Sequence, residues 1–182
     1  MDDLSVQKDK ATVTAILPDK TKLKGEVFLA SYSESHYGHQ KVADILEGEK
    51  VFIPLSLKDE GRVEFLNKDQ IVIMEGELST PEDEEKLSMG LYHIEKVKIS
   101  FANSENFEGA MISEVPKERS RLSDCLNLEG KFISMIKNGR YFYLNKNMIS
   151  RVESLKESTP AQGDQPEEKS NEPGIPDNAF ID

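Results

Sequence analysis

The chain has 182 residues, 37% of them apolar and 31% charged, with no tryptophan, one cysteine and a formal net charge of −11. That length fits one or two small domains, and no apolar run approaches the roughly 20 residues of a membrane helix. Cys125 has no partner for an internal disulfide, and Met1-Asp2-Asp3-Leu4-Ser5 lacks the basic and apolar regions of a secretory signal, so a cytosolic location is expected.

In chain order, residues 1–11 are polar and expected to be flexible. Thr12-Val13-Thr14-Ala15-Ile16-Leu17 reads as a strand closed by the turn signal Pro18-Asp19, and Leu23-Lys24-Gly25-Glu26-Val27-Phe28-Leu29 alternates as a second. A loop rich in Ser, Tyr, Gly and His fills residues 31–39. Val42, Ile45 and Leu46 then lie at i, i+3 and i+4, on one face of a short helix. Residues 51–57 read as a third strand, Gly61 to Asn67 as a fourth and Ile71-Val72-Ile73-Met74 as a fifth. Residues 76–94 form an acidic linker. Within it, Thr80-Pro81-Glu82-Asp83 carries the N-cap, proline and acids of a helix start, although a solvated connector fits the same composition.

The plan then repeats over residues 95–155. Val97, Ile99 and Phe101 alternate with polar residues, and Phe107 to Ile112 returns after a turn. Leu122, Cys125 and Leu126 reproduce the face of Val42, Ile45 and Leu46, and Phe132 to Ile136 matches the third strand. The clearest echo is Gly61-Arg62 … Leu66-Asn67-Lys68 … Ile71 against Gly139-Arg140 … Leu144-Asn145-Lys146 … Ile149. Equivalent residues stay 84, 80 and then 78 positions apart along the module, and the drift falls in loops. The expected fold is therefore mainly β: two tandem β-β-α-β-β-β modules, residues 12–75 and 95–155. Each would form a small barrel or rolled sheet packed on the other. Residues 156–182 are polar, acidic and almost without apolar residues, as in a disordered tail that is either solubilising or ends in a docking motif at Phe180-Ile181.

The stretch Leu122-Ser123-Asp124-Cys125-Leu126-Asn127, followed by a Phe-initiated strand and Leu144-Asn145-Lys146, resembles an uncharacterised bacterial β-rich domain of unknown function. The resemblance spans residues 12–153. It is closer in the second copy, because the first has Val42-Ala43-Asp44-Ile45-Leu46-Glu47 at that place. It implies no activity, cofactor or catalytic residue. The element order is also analogous to Sm-like and other SH3-like small barrels, which speaks to fold alone.

The chemistry-bearing residues follow the repeat. Asn67 and Asn145 fit hairpin tips, where Asn tolerates left-handed backbone. Arg62 with Lys68, and Arg140 with Lys146, would make an anion-binding patch at one end of each module. Asp44 and Asp124 recur in the helices and suit bonds to loop backbone. His36 and His39 beside Asp44 have a loose metal-ligand spacing confined to the first copy. Cys125 falls on a buried helical face as an inert small hydrophobe. No nucleophile elbow, phosphate loop or dinucleotide glycine pattern is present.

Charge divides the functional expectations. Residues 76–94 hold five acids and one base and residues 155–182 seven acids and two bases, whereas residues 95–154 hold ten bases and eight acids. An acidic whole disfavours non-specific binding to nucleic acid or anionic membrane. The leading expectation is a non-enzymatic cytosolic interaction or regulatory protein, without cofactor or metal, that binds a protein partner. The alternative is a binder of a nucleotide, RNA or another anion through the basic face of the second module. Arg121, Arg140 and Lys146 would supply its charge, and Tyr141 and Tyr143 would stack bases.

Overall fold

The computed structural model describes residues 9–31, 33, 38–57, 60–113 and 121–155. The expected flexible tail, residues 156–182, lies outside them, as do residues 1–8 and His36. Asp9, Lys10 and Ala11, expected in a flexible terminus, belong instead to the first strand.

The first half runs β1 (Asp9–Ile16), β2 (Lys22–Leu29), α1 (Val42–Glu47), β3 (Phe52–Leu57), β4 (Arg62–Asn67) and β5 (Ile73–Leu78). The second runs β6 (His93–Phe101), β7 (Asn106–Ser113), α3 (Leu122–Leu126), β8 (Phe132–Lys137), β9 (Arg140–Asn145) and β10 (Ile149–Ser154). Between them lies the helix α2 (Pro81–Ser88), while the ends of the expected linker, residues 76–78 and 93–94, belong to β5 and β6. The start of α2 is built as a capping box: Thr80 Oγ1 accepts from the Asp83 amide at 3.1 Å, and the Asp83 carboxylate accepts from the Thr80 amide at 2.9 Å.

The expectation of a mainly β fold holds, but the strands do not close into separate barrels. They form one open antiparallel sheet in the order β10-β6-β7-β8-β9-β5-β1-β2-β3-β4. Each half contributes its fifth, first, second, third and fourth strands in that order. The registers agree as well as the order. Val13 faces Gly25 as Val97 faces Gly109; Ala15 faces Met74 as Ile99 faces Val152; Ile53 faces Leu66 as Ile133 faces Leu144. A one-residue slip would turn every apolar side chain to the wrong face, so this agreement places the same positions inward in both halves.

The reading of Asn67 and Asn145 as hairpin tips is corrected. Their φ values are −72° and −70°, ordinary extended backbone. Each instead caps a one-turn 3-10 helix, Lys68–Gln70 or Lys146–Met148, by accepting the amide two residues on at 2.9 and 3.0 Å. That turn carries the chain out of β4 or β9. The next strand then pairs with the first strand of its half rather than with the one just left.

Each half encloses its own apolar core. Val13, Ala15, Leu46, Leu55, Ile71 and Met74 fill the first; Val97, Ile99, Phe101, Met111 and Met135 fill the second. The cores also trade residues: Phe132 and Tyr143 pack in the first, and Val72 and Ile73 in the second. Where β2 crosses β3, a Cβ on Gly25 would lie 2.6 Å from the Ser56 carbonyl oxygen. At the equivalent crossing of β7 and β8, a Cβ on Gly109 would lie 3.1 Å from the Ile136 carbonyl oxygen.

This difference has a measurable consequence. Gly25→Ala should cost about 2–3 kcal/mol because backbone must move, and Gly109→Ala nearer 1 kcal/mol because a few tenths of an ångström suffice. Urea midpoints of the two variants would check it, and equal losses would refute the steric account.

Candidate functional site

The repeated lysine is spent within each half. Lys68 is 1% exposed, and its ammonium donates to the Ile45 carbonyl at 3.2 Å and to the Gly48 carbonyl. These carbonyls close the C-terminal end of α1, where a cation also offsets the helix dipole. Burial, helped by the Lys131 ammonium, pulls Lys68 below the usual lysine range. Lys146 does the same work at the end of α3, donating to the Leu128 carbonyl at 2.5 Å, and burial lowers its pKa too.

The two halves meet where β9 pairs with β5, Ile73 facing Leu144 and Met74 facing Tyr143. Side chains lock this seam along its length. Arg140 Nε lies 3.2 Å from the Glu75 carboxylate, and its Nη1 donates to the Gly76 carbonyl at 2.9 Å. Tyr143, 3% exposed, donates its hydroxyl to Glu77 at 3.0 Å. Gly76 is required there, since a Cβ would lie 2.8 Å from the Tyr143 ring. The Asn145 amide donates to the Val72 carbonyl at 3.0 Å, and its side chain donates to the Lys68 and Asp69 carbonyls at 3.4 Å. At the far side Glu47, at the end of α1, accepts the amides of Lys131 and Phe132, both at 2.8 Å.

A cavity of about 300 Å³ opens beside the seam, bordered by Lys41, Glu77, Asp83, Ser113, Cys125 and Tyr141. Its polar groups largely satisfy one another. Lys41 pairs with Asp83 at 3.4 Å, and Ser113 donates to the Cys125 sulfur at 3.1 Å. Burial would raise the Asp83 carboxyl, but hydrogen bonds from Thr80 and the Lys41 ammonium outweigh it and hold Asp83 below the usual carboxylate range. Glu77 Oε2 is buried without a hydrogen-bond partner among the described residues. No cluster of three metal-ligating side chains occurs among the described residues. His39 lies 3.4 Å from Asp9, and His93 3.4 Å from Glu95.

The residues expected to bind an anion are not brought together. Arg140 and Lys146 stand at opposite ends of β9, about 20 Å apart at strand rise, and Arg62 and Lys68 at opposite ends of β4. Arg62 is exposed and bonded to Glu60 and Glu64 at 2.5 and 2.9 Å. Tyr141 and Tyr143 lie side by side with their rings 8° from parallel, but they face the first half across the seam. Tyr143, being buried, offers no ring face to a base. Arg121 is the exposed residue preceding α3.

What the repeat did not announce is how differently its two copies are covered. Phe132 is 8% exposed and Tyr143 3%, whereas Phe52 and Phe65, at the same places in the first half, are 53% and 69% exposed. Val63 is 50% exposed where Tyr141 packs on the first-half core. Cross-strand alternation puts Phe52, Val63 and Phe65 on one face of the β3–β4 hairpin, so they form a single apolar patch at the open β4 edge.

Comparison with protein-family models, with curated proteins and with solved structures found no match. Among the described residues no helix is long and apolar enough to cross a membrane.

The seam should respond to alkali in a defined direction. Burial first, then the Glu77 carboxylate, pushes the Tyr143 hydroxyl well above its ordinary pKa. A group raised in the folded state stabilises it fully below the unfolded value of about 10, and that stabilisation is lost as pH climbs past it. Tyr143→Phe should thus be weaker than wild type by about 1 kcal/mol at neutral pH, where Glu77 loses a donor. The deficit should shrink and then reverse above pH ~10. Urea midpoints of both proteins from neutral to alkaline pH test this; a constant difference would rule it out.

Proposed function

We propose that this is a non-enzymatic interaction protein of the cytosol, in which two β-β-α-β-β-β modules are fused into one rigid sheet that presents an open strand edge to a protein partner. The observation carrying this reading is the β4 edge: the last strand of the sheet, with no strand beside it on one side among the described residues, flanked by the exposed Phe52, Val63 and Phe65. Sheet edges that must stay alone are usually blunted by charge, proline or a bulge. This one carries charge only at Arg62 and Glu64 and keeps the exposed Phe52, Val63 and Phe65 along its outer face. Backbone pairing supplies affinity in such strand addition, and the flanking side chains supply selectivity. Neither the cavity nor the spent lysines support turnover or anion capture as well.

The test is a comparison of baits. Wild type and Phe65→Lys, immobilised at equal density, are exposed to extract from the native cell, and retained proteins and RNA are both quantified. The proposal expects at least one protein retained at high salt on wild type and depleted about ten-fold or more on the variant, as for loss of a central apolar anchor. Identical protein profiles on the two baits, or RNA as the only retained species, would refute it.

A further inference from the structure

The internal seam joins two unlike surfaces, the fourth strand of one half and the fifth strand of the other. A head-to-tail contact of this kind necessarily leaves one of each unused at the ends. Those are β4 on the first half and β10 on the second, the two terminal strands of the sheet. β4 precedes β9 by 78 residues, and β10 residues follow their β5 counterparts by 78, so every group at the seam can be traced to the open edges.

The traced groups match. Arg140, which pairs with Glu75, has its counterpart in Arg62 on β4, while Glu75 has its counterpart in Glu153 on β10. Asn145, which spans the seam with its amide and side chain, becomes Asn67. The hydrogen-bonded pair Tyr143–Glu77 becomes Phe65 and Leu155. Both members have changed, and a polar pair has become an apolar one; Leu155 is 37% exposed and Phe65 69%. The aromatic patch that one half buries against the other is bare on the first half alone.

We infer that the β4 edge pairs antiparallel with the β10 edge of a second copy of this chain, repeating between molecules the seam found within each. In the repeated register Phe65 lies opposite Val152 and Leu66 opposite Arg151, and Arg62 pairs with Glu153 of the next copy. Several further positions depart from the internal seam: on β10, Arg151, Val152 and Ser154 stand where β5 has Ile73, Met74 and Gly76, and on β4, Val63 and Glu64 stand where β9 has Tyr141 and Phe142. Ser154 replaces Gly76, so the Phe65 ring sits farther out than that of Tyr143, and Glu64 replaces Phe142 beside Arg62. Arg62, already bonded to Glu60 and Glu64, then meets a third carboxylate and offsets the facing of Glu64 and Glu153, which the register places directly opposite each other. Each pairing leaves a fresh β4 and a fresh β10 at the ends, so assembly continues into a ring or a filament rather than stopping at a dimer.

This inference rests on the reading of β4 as a docking edge and adds the identity of the partner. The test is sedimentation velocity on the full chain from micromolar to near-millimolar concentration. Wild type should grow past dimer as concentration rises. Arg62→Glu and Glu153→Arg, each checked for native circular dichroism, should each weaken association about ten-fold. An equimolar mixture of the two should recover it. There the introduced glutamate of one variant meets the introduced arginine of the other, while the native Arg62–Glu153 pair forms at the opposite contact. A wild type that stays monomeric throughout would overturn the inference. So would assembly that halts at dimer and ignores Glu153→Arg, which marks a symmetric β4–β4 contact, or a mixture that fails to recover. A monomeric wild type whose bait still loses a protein on Phe65→Lys would leave the docking edge standing and remove only the second copy as its occupant.

Discussion

The pairing of β9 with β5 is the constraint on which the rest of the molecule turns. Each half has about 60 residues, a size at which a single core is marginal by itself. The seam relieves this by letting the cores trade residues, with Tyr143 and Phe132 sunk in one and Val72 and Ile73 in the other. It also removes two of the four strand edges that separate modules would expose. Gly76, Arg140 and Glu47 are tied to that junction, and Asn145 serves it while also capping the 3-10 turn of its own half.

The repeated Leu-Asn-Lys shows how one short motif fixes a connection. Leu fills the core, Asn caps the 3-10 turn that redirects the chain, and Lys reaches back to the last carbonyls of the half's own helix. The three residues thereby link strand, turn and helix in one local unit. Their recurrence at equal spacing reflects this architectural task, and the positive charge that suggests anion binding is consumed in it.

Much of the fold was legible because both halves carry the same period-two strands and the same helical face, and reading one checked the other. The inward placement of Ile99 and Cys125 followed from local patterns, whereas Thr80-Pro81 fitted a helix start and a connector alike until α2 decided between them. What local pattern could not supply was pairing at a distance. β5 reads as the partner of β4 because they adjoin in sequence, yet a 3-10 turn sends it to β1 and β9. For the same reason Tyr143 read as an exposed stacking ring: strand alternation identifies its face, but only the seam shows that the face is occupied. The contrast between Phe65 and Tyr143 was present in the sequence, and it gains meaning once one of them is seen to be covered.

The long reach of the seam also bears on how the protein is made. β5 ends at Leu78, and the strand that covers it begins at Arg140, so about 60 residues are synthesised in between. At roughly 5–20 residues per second, that interval lasts several seconds. During it the first half is ready to fold on the ribosome with both of its edges, β4 and β5, open to the surroundings. On a message carrying many ribosomes, neighbouring nascent chains offer each other the surfaces that the finished chain joins within itself. Correct joining then depends on the second half being tethered to the first through the short connection 79–92, which gives its β9 a high local concentration at β5 that outcompetes neighbours.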